Sequence, residues 1–319
     1  MNFLNKLYGR EIKLNEITDE QIKQIISSII NEKLTLGRNY IFSSTAKYRI
    51  LTNRLKKLIL QSMKYIIQTI TESEFNIYGN EVEFKEGKKY KPIKIELEDG
   101  KTVEITGKID RIDLAKNENG KYIRIIDYKS SFKNIELNEF IAGLQIQLLT
   151  YLDAVTKIED VIPGGVLYFN LIDPIIKADK NMSDDEIEQA IKKQFKMQGL
   201  VLADVNVVRM MDKKLEKGAS NVIPVYIDSK EQLSQTRSSI VTKEQFENLQ
   251  KYTNKVIKEI AKEILSGSIE IKPMYNIKKK KTPCEYCEYK SICNFDTTQK
   301  QYNYIPNLDK QVILNMIKE

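Results

Sequence analysis

Gly107-Lys108-Ile109-Asp110-Arg111-Ile112-Asp113 and, beyond the turn-forming Asn117-Glu118-Asn119-Gly120, Ile125-Ile126-Asp127-Tyr128-Lys129-Ser130 read as two arms of a β-hairpin. Successive side chains of a strand point to opposite faces, so Ile123, Ile125, Asp127 and Lys129 share one face, and Tyr122, Arg124, Ile126 and Tyr128 the other. An apolar face that ends in a carboxylate and an ammonium costs desolvation, and the pair calls for a partner or a purpose. Taken alone, Asp127 and Lys129 also read as an ion pair at a strand end. The first arm adds Asp110, whose carboxylate a hairpin brings toward Asp127. Two converging carboxylates repel and raise each other's pKa. A hard divalent ion removes that cost, and Mg²⁺ takes oxygen ligands while keeping several waters. Such an ion can polarise a phosphodiester and lower the pKa of a bound water, with Lys129 orienting or deprotonating that water.

Composition favours this kind of chemistry. The 319 residues hold no histidine, which removes every mechanism built on an imidazole base and leaves carboxylates, lysines and metal ions. With 41% hydrophobic residues, 30% charged residues, 13 Gly and 7 Pro, the chain is neither collagenous nor wholly disordered. Its net charge of +7 suits a polyanionic partner without requiring one. The four consecutive lysines at 278–281, and Arg49, Arg54, Lys56 and Lys57 on a helical pattern, are candidates for backbone contacts with DNA or ordinary solvated faces. No apolar run approaches the roughly 20 residues that span a bilayer. The segment from Met1 to Lys6 lacks the apolar region of a secretory signal, so a cytoplasmic location is expected.

Working outward from the hairpin, Thr18 and Gln21 form a helix-start signature before Ile22, Ile25, Ile26 and Ile29. A second helix is expected over residues 43–73, with Leu51, Leu55, Leu58, Ile59, Ile66 and Ile70 on one face. Strands are expected at 82–85, 93–98, 101–114 and 121–130, forming an antiparallel meander. One long amphipathic helix from 137 to 155 follows, then a strand at 165–172, a helix at 183–197, an extended segment at 222–227 and a long helix at 242–265. Gly143, Gln147 and Tyr151 fall on one ridge of the first of these helices. Tyr151 also fits the core stripe there, and the Gln147 amide can sit at a solvent edge or reach a phosphate or metal-bound water. Residues 1–75 read as an N-terminal helical part, 76–272 as a core and 273–319 as a cysteine segment with a tail, all one compact domain.

The order Gly107 to Asp113, Asp127-Tyr128-Lys129 and Gln147-x-x-x-Tyr151, on strand, strand and helix, resembles the RecB-like branch of the PD-(D/E)xK nucleases. Within that branch it is similar to the C-terminal nuclease regions of the AddB family, the second subunits of AddAB helicase–nucleases. The likeness extends to residues 43–58, Gly199-Leu200-Val201-Leu202, Arg209-Met210-Met211-Asp212 and residues 267–273. The resemblance implies an α/β fold with a PD-(D/E)xK core, a mixed sheet flanked by helices, an N-terminal helical segment and a C-terminal cysteine-cluster segment. It implies Asp110 and Asp127 as metal ligands with the Tyr128 carbonyl, Lys129 as catalytic lysine, and Gln147 and Tyr151 as supporting residues. The implied activity is Mg²⁺- or Mn²⁺-dependent exonucleolytic hydrolysis of DNA, on single-stranded ends fed by an AddA-type helicase–nuclease partner. Two other readings stand beside it: a DNA-guiding or partner-binding module with weakened catalysis, and a free-standing phage or CRISPR-adaptation nuclease.

Cys284-x2-Cys287-x5-Cys293 has the tight spacing of metal ligands, and three thiolates want a fourth donor; the spacing leaves zinc and iron–sulfur open. The resemblance implies a [4Fe–4S] cluster held by this triplet and one cysteine far upstream. Relatives carry that cysteine, in a Cys-Pro-Phe context, and a histidine near the metal site, in a helical segment. Here the chain runs directly from Lys13-Leu14 to Glu16-Ile17 and has neither.

Overall fold

The computed structural model describes residues 14, 16–176 and 182–318. In chain order its main elements are α1 (Asp19–Thr35), α2 (Ala46–Thr71), β1 (Asn76–Phe84), β2 (Ile93–Glu96), β3 (Thr102–Ile105), β4 (Gly107–Asn117), β5 (Gly120–Lys129), α3 (Leu137–Ile141), α4 (Gln147–Thr156) and β6 (Ile162–Asn170). They continue with α5 (Asp184–Gln194), β7 (Gln198–Leu202), α6 (Val205–Met211), β8 (Gly218–Ala219), β9 (Tyr226–Ile227), β10 (Ile240–Val241), α7 (Lys243–Leu265), β11 (Met274–Asn276), β12 (Asn303–Ile305) and α8 (Lys310–Met316). The chain divides into two compact units. The first takes Met1–Glu83, Lys108–Asn134 and Ile158–Thr242, and the second Phe84–Gly107, Ile135–Lys157 and Lys243–Glu319.

The first unit is built on a six-stranded mixed sheet of order β1-β4-β5-β6-β7-β10. β4 and β5 are antiparallel with Arg111 opposite Ile126 and Asp113 opposite Arg124, while β5 and β6 run parallel with Asp127 beside Tyr168. β7 pairs antiparallel with β6 and parallel with β10. Ile109, Ile112, Ile123, Ile125, Val166, Leu167 and Val201 are buried completely, which places β5 and β6 at the centre. Gly199 permits the close approach of β7 to β6. It stands at φ +149°, and a Cβ there would lie 2.1 Å from the Val166 carbonyl oxygen. The α1 start follows its sequence signature: the Thr18 hydroxyl accepts from Gln21 N–H, and Thr18 N–H donates to Gln21 Oε1 at 2.9 Å. Ser183 and Glu186 cap α5 reciprocally in the same way. The expected apolar face of α2 is buried only in its later half, at Met63, Ile66, Ile67 and Ile70; Leu51, Leu55 and Ile59 stay partly exposed.

In the second unit, β2 and β3 form their own antiparallel pair, Ile93 opposite Ile105. This corrects the expected single meander. The strand expected at 101–114 breaks at Thr106, its first part pairing with β2 and its second entering the large sheet. The long helix expected at 137–155 is also corrected, into α3 and α4. Gly143, at φ +76°, donates its N–H to the Phe140 carbonyl, and Leu144 donates to Glu139, the paired bonds of a Schellman stop. Gly143 is therefore a helix terminator and not a member of a ridge with Gln147 and Tyr151. Phe140, Leu148, Leu152 and Val155 are buried, as are Phe246 and Leu249 of α7, and Gln250 Nε2 of α7 bonds the Thr156 hydroxyl at 2.8 Å. β11 and β12 pair in parallel, Tyr275 beside Tyr304.

Candidate active site

β4 and β5 place Asp110, Asp127, Tyr128 and Lys129 together in the first unit. Asp110 shares the face of Ile112, and Asp127 shares that of Ile125, its neighbour across the hairpin. The Tyr128 backbone N–H donates to Asp110 Oδ2 at 2.9 Å, and Lys129 Nζ lies 2.7 Å from Asp127 Oδ2. Asp127 is almost wholly buried, and Lys129 keeps 27% of its side chain exposed, with its ammonium 5.6 Å from the Tyr168 ring centre. Burial pushes the Asp127 carboxyl above the ordinary carboxylate range; Lys129 works against that, and the negative charge of Asp110 adds to it. The site therefore has acidic oxygens whose charges are incompletely balanced, open to solvent on the side of Lys129.

The reverse face of the same two strands is equally covered, where the sequence points to one buried face. Arg111, Asp113 and Arg124 are buried to 1%, 0% and 0% exposure. Arg111 grips Asp113 bidentately, Nε to Oδ1 at 2.6 Å and Nη2 to Oδ2 at 2.7 Å, while Arg124 Nε reaches Asp113 Oδ2 at 2.8 Å. Burial opposes the charge of both guanidiniums. At Arg111 the Asp113 carboxylate outweighs it and raises the pKa; at Arg124 burial prevails, reinforced by Arg111, and lowers it. The Arg124 guanidinium lies 4.9 Å from the Phe75 ring centre, and Arg111 Nη1 is 3.4 Å from the Tyr128 hydroxyl. Sequence reasoning passes over this trio because Arg and Asp on a strand read as solvent-facing. The signal lies in the register, which sets Asp113 directly opposite Arg124.

A sequence profile of the PD-(D/E)XK nuclease superfamily matches residues 3–294. The chain belongs to this superfamily. Its mixed sheet, with acidic residues and a lysine on adjacent strands and helices around it, is the nuclease fold expected from the sequence. Among curated relatives it is 40% identical to an ATP-dependent helicase/deoxyribonuclease subunit of Acetivibrio thermocellus, over 97% of this chain and 27% of the relative. Identity to the protein of the same name from Clostridium kluyveri is 42%, over 93% of this chain and 26% of the relative. The Clostridium tetani protein of that name is 39% identical over 100% of this chain and 28% of its own length. The chain thus spans about a quarter of the length of these relatives.

Gln147 and Tyr151, the other residues expected in the nuclease site, belong to the second unit. Gln147 is the first residue of α4, and its Nε2 donates to the Tyr151 hydroxyl one turn on, at 2.8 Å. The Tyr151 ring stands edge-on to Phe84 with centres 5.8 Å apart. Of the basic helix residues, Arg54 is engaged by Asp173, Nη2 to Oδ2 at 2.8 Å.

Asp110 and Asp127 fit a hard divalent cation: both donors are carboxylate oxygens, and burial, with the Asp110 charge adding to it, already disfavours the Asp127 carboxylate, a cost that a bound cation would offset. Among the described residues no three His, Cys, Asp or Glu side chains are grouped to hold an ion, so water and backbone oxygens would complete the shell. The cysteines fit their expected group less well. Cys284, Cys287 and Cys293 are free thiols lining one cavity of about 690 Å³. A four-iron cluster takes four thiolates, and the chain contains three cysteines, so its own residues do not complete that ligand set. Among the described residues no helix is long and apolar enough to cross a membrane.

Proposed function

We propose that this chain is the nuclease domain of an AddAB-type helicase–nuclease and hydrolyses DNA phosphodiesters with the help of a divalent cation. The observation that carries this reading is Asp110 and Asp127 converging from adjacent strands, with the Lys129 ammonium 2.7 Å from Asp127. Asp110 and Asp127, with the Tyr128 carbonyl, hold the cation. Bound there, Mg²⁺ or Mn²⁺ supplies Lewis acidity toward the scissile phosphate. Lys129 orients the attacking water and offsets the negative charge that develops on the phosphoryl oxygens, acting from a position where solvent still reaches it. The Tyr128 N–H fixes the Asp110 carboxylate. The names of the relatives favour DNA as substrate and a helicase as partner. Such an assembly works in the cytoplasm.

The test is cleavage of end-labelled single-stranded DNA by the chain and by its Lys129→Ala variant, with Mg²⁺ or with EDTA. Cleavage that needs both the metal and Lys129 supports the proposal. Absence of cleavage by the unsubstituted chain, with DNA still bound, sinks it and favours the DNA-guiding reading.

A further inference from the structure

The second unit carries a surface that the two-carboxylate site does not use. Residues 272–304 hold seven lysines against three carboxylates. The lysine run sits on a pinned turn between β11 and the cysteine segment. Asn276 N–H donates to the Lys281 carbonyl at 2.8 Å, Lys281 N–H returns to Asn276 at 3.3 Å, and Lys279 N–H donates to Asn276 Oδ1 at 2.9 Å. Lys279 fastens this turn to α3 through Glu139 at 2.8 Å, and Asn276 Nδ2 bonds the same carboxylate at 2.8 Å. Lys278, Lys280 and Lys281 are exposed, and no carboxylate pairs with them among the described residues. Lys280 is held at φ +51°, a left-handed conformation that a lysine adopts only against strain. Three like charges on a strained, anchored turn are a poor arrangement for stability alone.

Aromatic rings stand in the same segment. Tyr275, Tyr302 and Phe295 pack on one another, with centres 5.2 Å and 4.9 Å apart, and make a fixed ledge. Tyr286 and Tyr289 instead leave 81% and 69% of their surface in solvent, three residues apart around the turn that carries Cys287. Exposed rings and exposed ammonium groups, unpaired among the described residues and carried on one short segment, have the chemistry of single-strand binding, in which bases stack on rings and phosphates pair with lysines.

We propose that Tyr286 and Tyr289, with Lys278, Lys280 and Lys281, form a landing surface for single-stranded DNA, the rings stacking bases and the lysines holding the backbone. The identity of the strand as DNA rests on the nuclease reading above; the charge and the rings come from this segment itself. Binding of fluorescein-labelled oligo(dT) to the full chain in EDTA, where nothing is cut, tests it. Changing Tyr286→Leu and Tyr289→Leu together weakens binding about tenfold or more, and the matching Tyr→Phe pair retains it. Changing the three lysines to Gln lowers the slope of log affinity against log salt by about 2, at roughly 0.7 per phosphate contact. An oligonucleotide with abasic sites binds the unsubstituted chain more weakly than oligo(dT), a readout independent of whether any variant folds. Equal binding of abasic and intact strands overturns the stacking role, and an unchanged salt slope overturns the lysine role. A chain that binds in the expected way but cuts nothing sinks the nuclease reading and leaves this surface standing. A chain that cuts, with binding indifferent to all five substitutions, does the reverse.

Discussion

The backbone N–H of Tyr128 donates to Asp110 Oδ2 at 2.9 Å, so the residue between Asp127 and Lys129 is also the one that holds the third charged group of the site. The contact links β4 to β5 at the open end of the hairpin and ties the spacing of the two carboxylates to the sheet itself. The Tyr128 side chain points the other way, to the buried Arg111. The site on one face and the arginine pair on the other therefore meet at Tyr128, whose backbone N–H serves the first and whose hydroxyl serves the second.

Asp127→Asn abolishes cleavage and makes the fold more stable at neutral pH. The folded carboxyl titrates above its unfolded value, chiefly because it is buried, so the native state binds more protons than the unfolded state across that window. Stability of the unsubstituted chain accordingly falls as pH rises from about 4 through the raised pKa, and the Asn variant lacks this loss. Urea unfolding of both proteins from pH 4 to pH 8 measures it; a variant less stable than its parent throughout that range contradicts the expectation.

Asp113→Asn costs about 3–5 kcal/mol, because it leaves two buried guanidiniums without their shared carboxylate. Arg111→Met costs less, since Asp113 and Arg124 remain as a balanced pair. The order of the two urea midpoints is the readout, with equal midpoints arguing against the shared-carboxylate account.

Glycine substitutions separate two kinds of backbone requirement. Gly143→Ala costs about 1–2 kcal/mol, from a left-handed φ and a Cβ 3.3 Å from Val256 Cγ1, which can shift. Gly199→Ala costs more than about 4 kcal/mol, since its Cβ would meet the Val166 carbonyl at 2.1 Å and cannot be accommodated without parting β6 from β7. Melting temperatures of the two variants, or failure of the second to accumulate as folded protein, decide the ranking.

Mn²⁺ raises the melting temperature of the unsubstituted chain and has no effect on Asp110→Asn. A ligand at about 100 times its dissociation constant stabilises the native state by about 2.7 kcal/mol. Equal shifts in both proteins would place the binding elsewhere.

Much of the site is legible in the sequence, for a local reason. Asp110, Asp127 and Lys129 lie within one hairpin, and alternation along two strands joined by a short turn fixes which side chains share a face. The capping boxes at Thr18 and Ser183 are equally local, each complete within four residues. Sequence patterns mislead where one residue overrules them. Gly143 lies in an unbroken apolar period, yet its left-handed φ ends α3 there. Thr106 lies in an alternating run, yet the chain changes sheets at that point. β7, α6 and β10 escape sequence reading, because two- to seven-residue elements carry too short a period to stand out.

Residue identity and near neighbours in the chain were enough to define the β4–β5 hairpin, its acidic and lysine side chains, the lack of any histidine and the set of three thiols. None of these features needs a contact with a distant segment. Packing between distant segments was required to cover β5 on both faces, to set Asp113 between two arginines, and to tie down Lys279 while its lysine neighbours stay unpaired among the described residues. Each of these depends on which strand or helix lies alongside, and burial turns an ordinary charged residue into one whose partners matter.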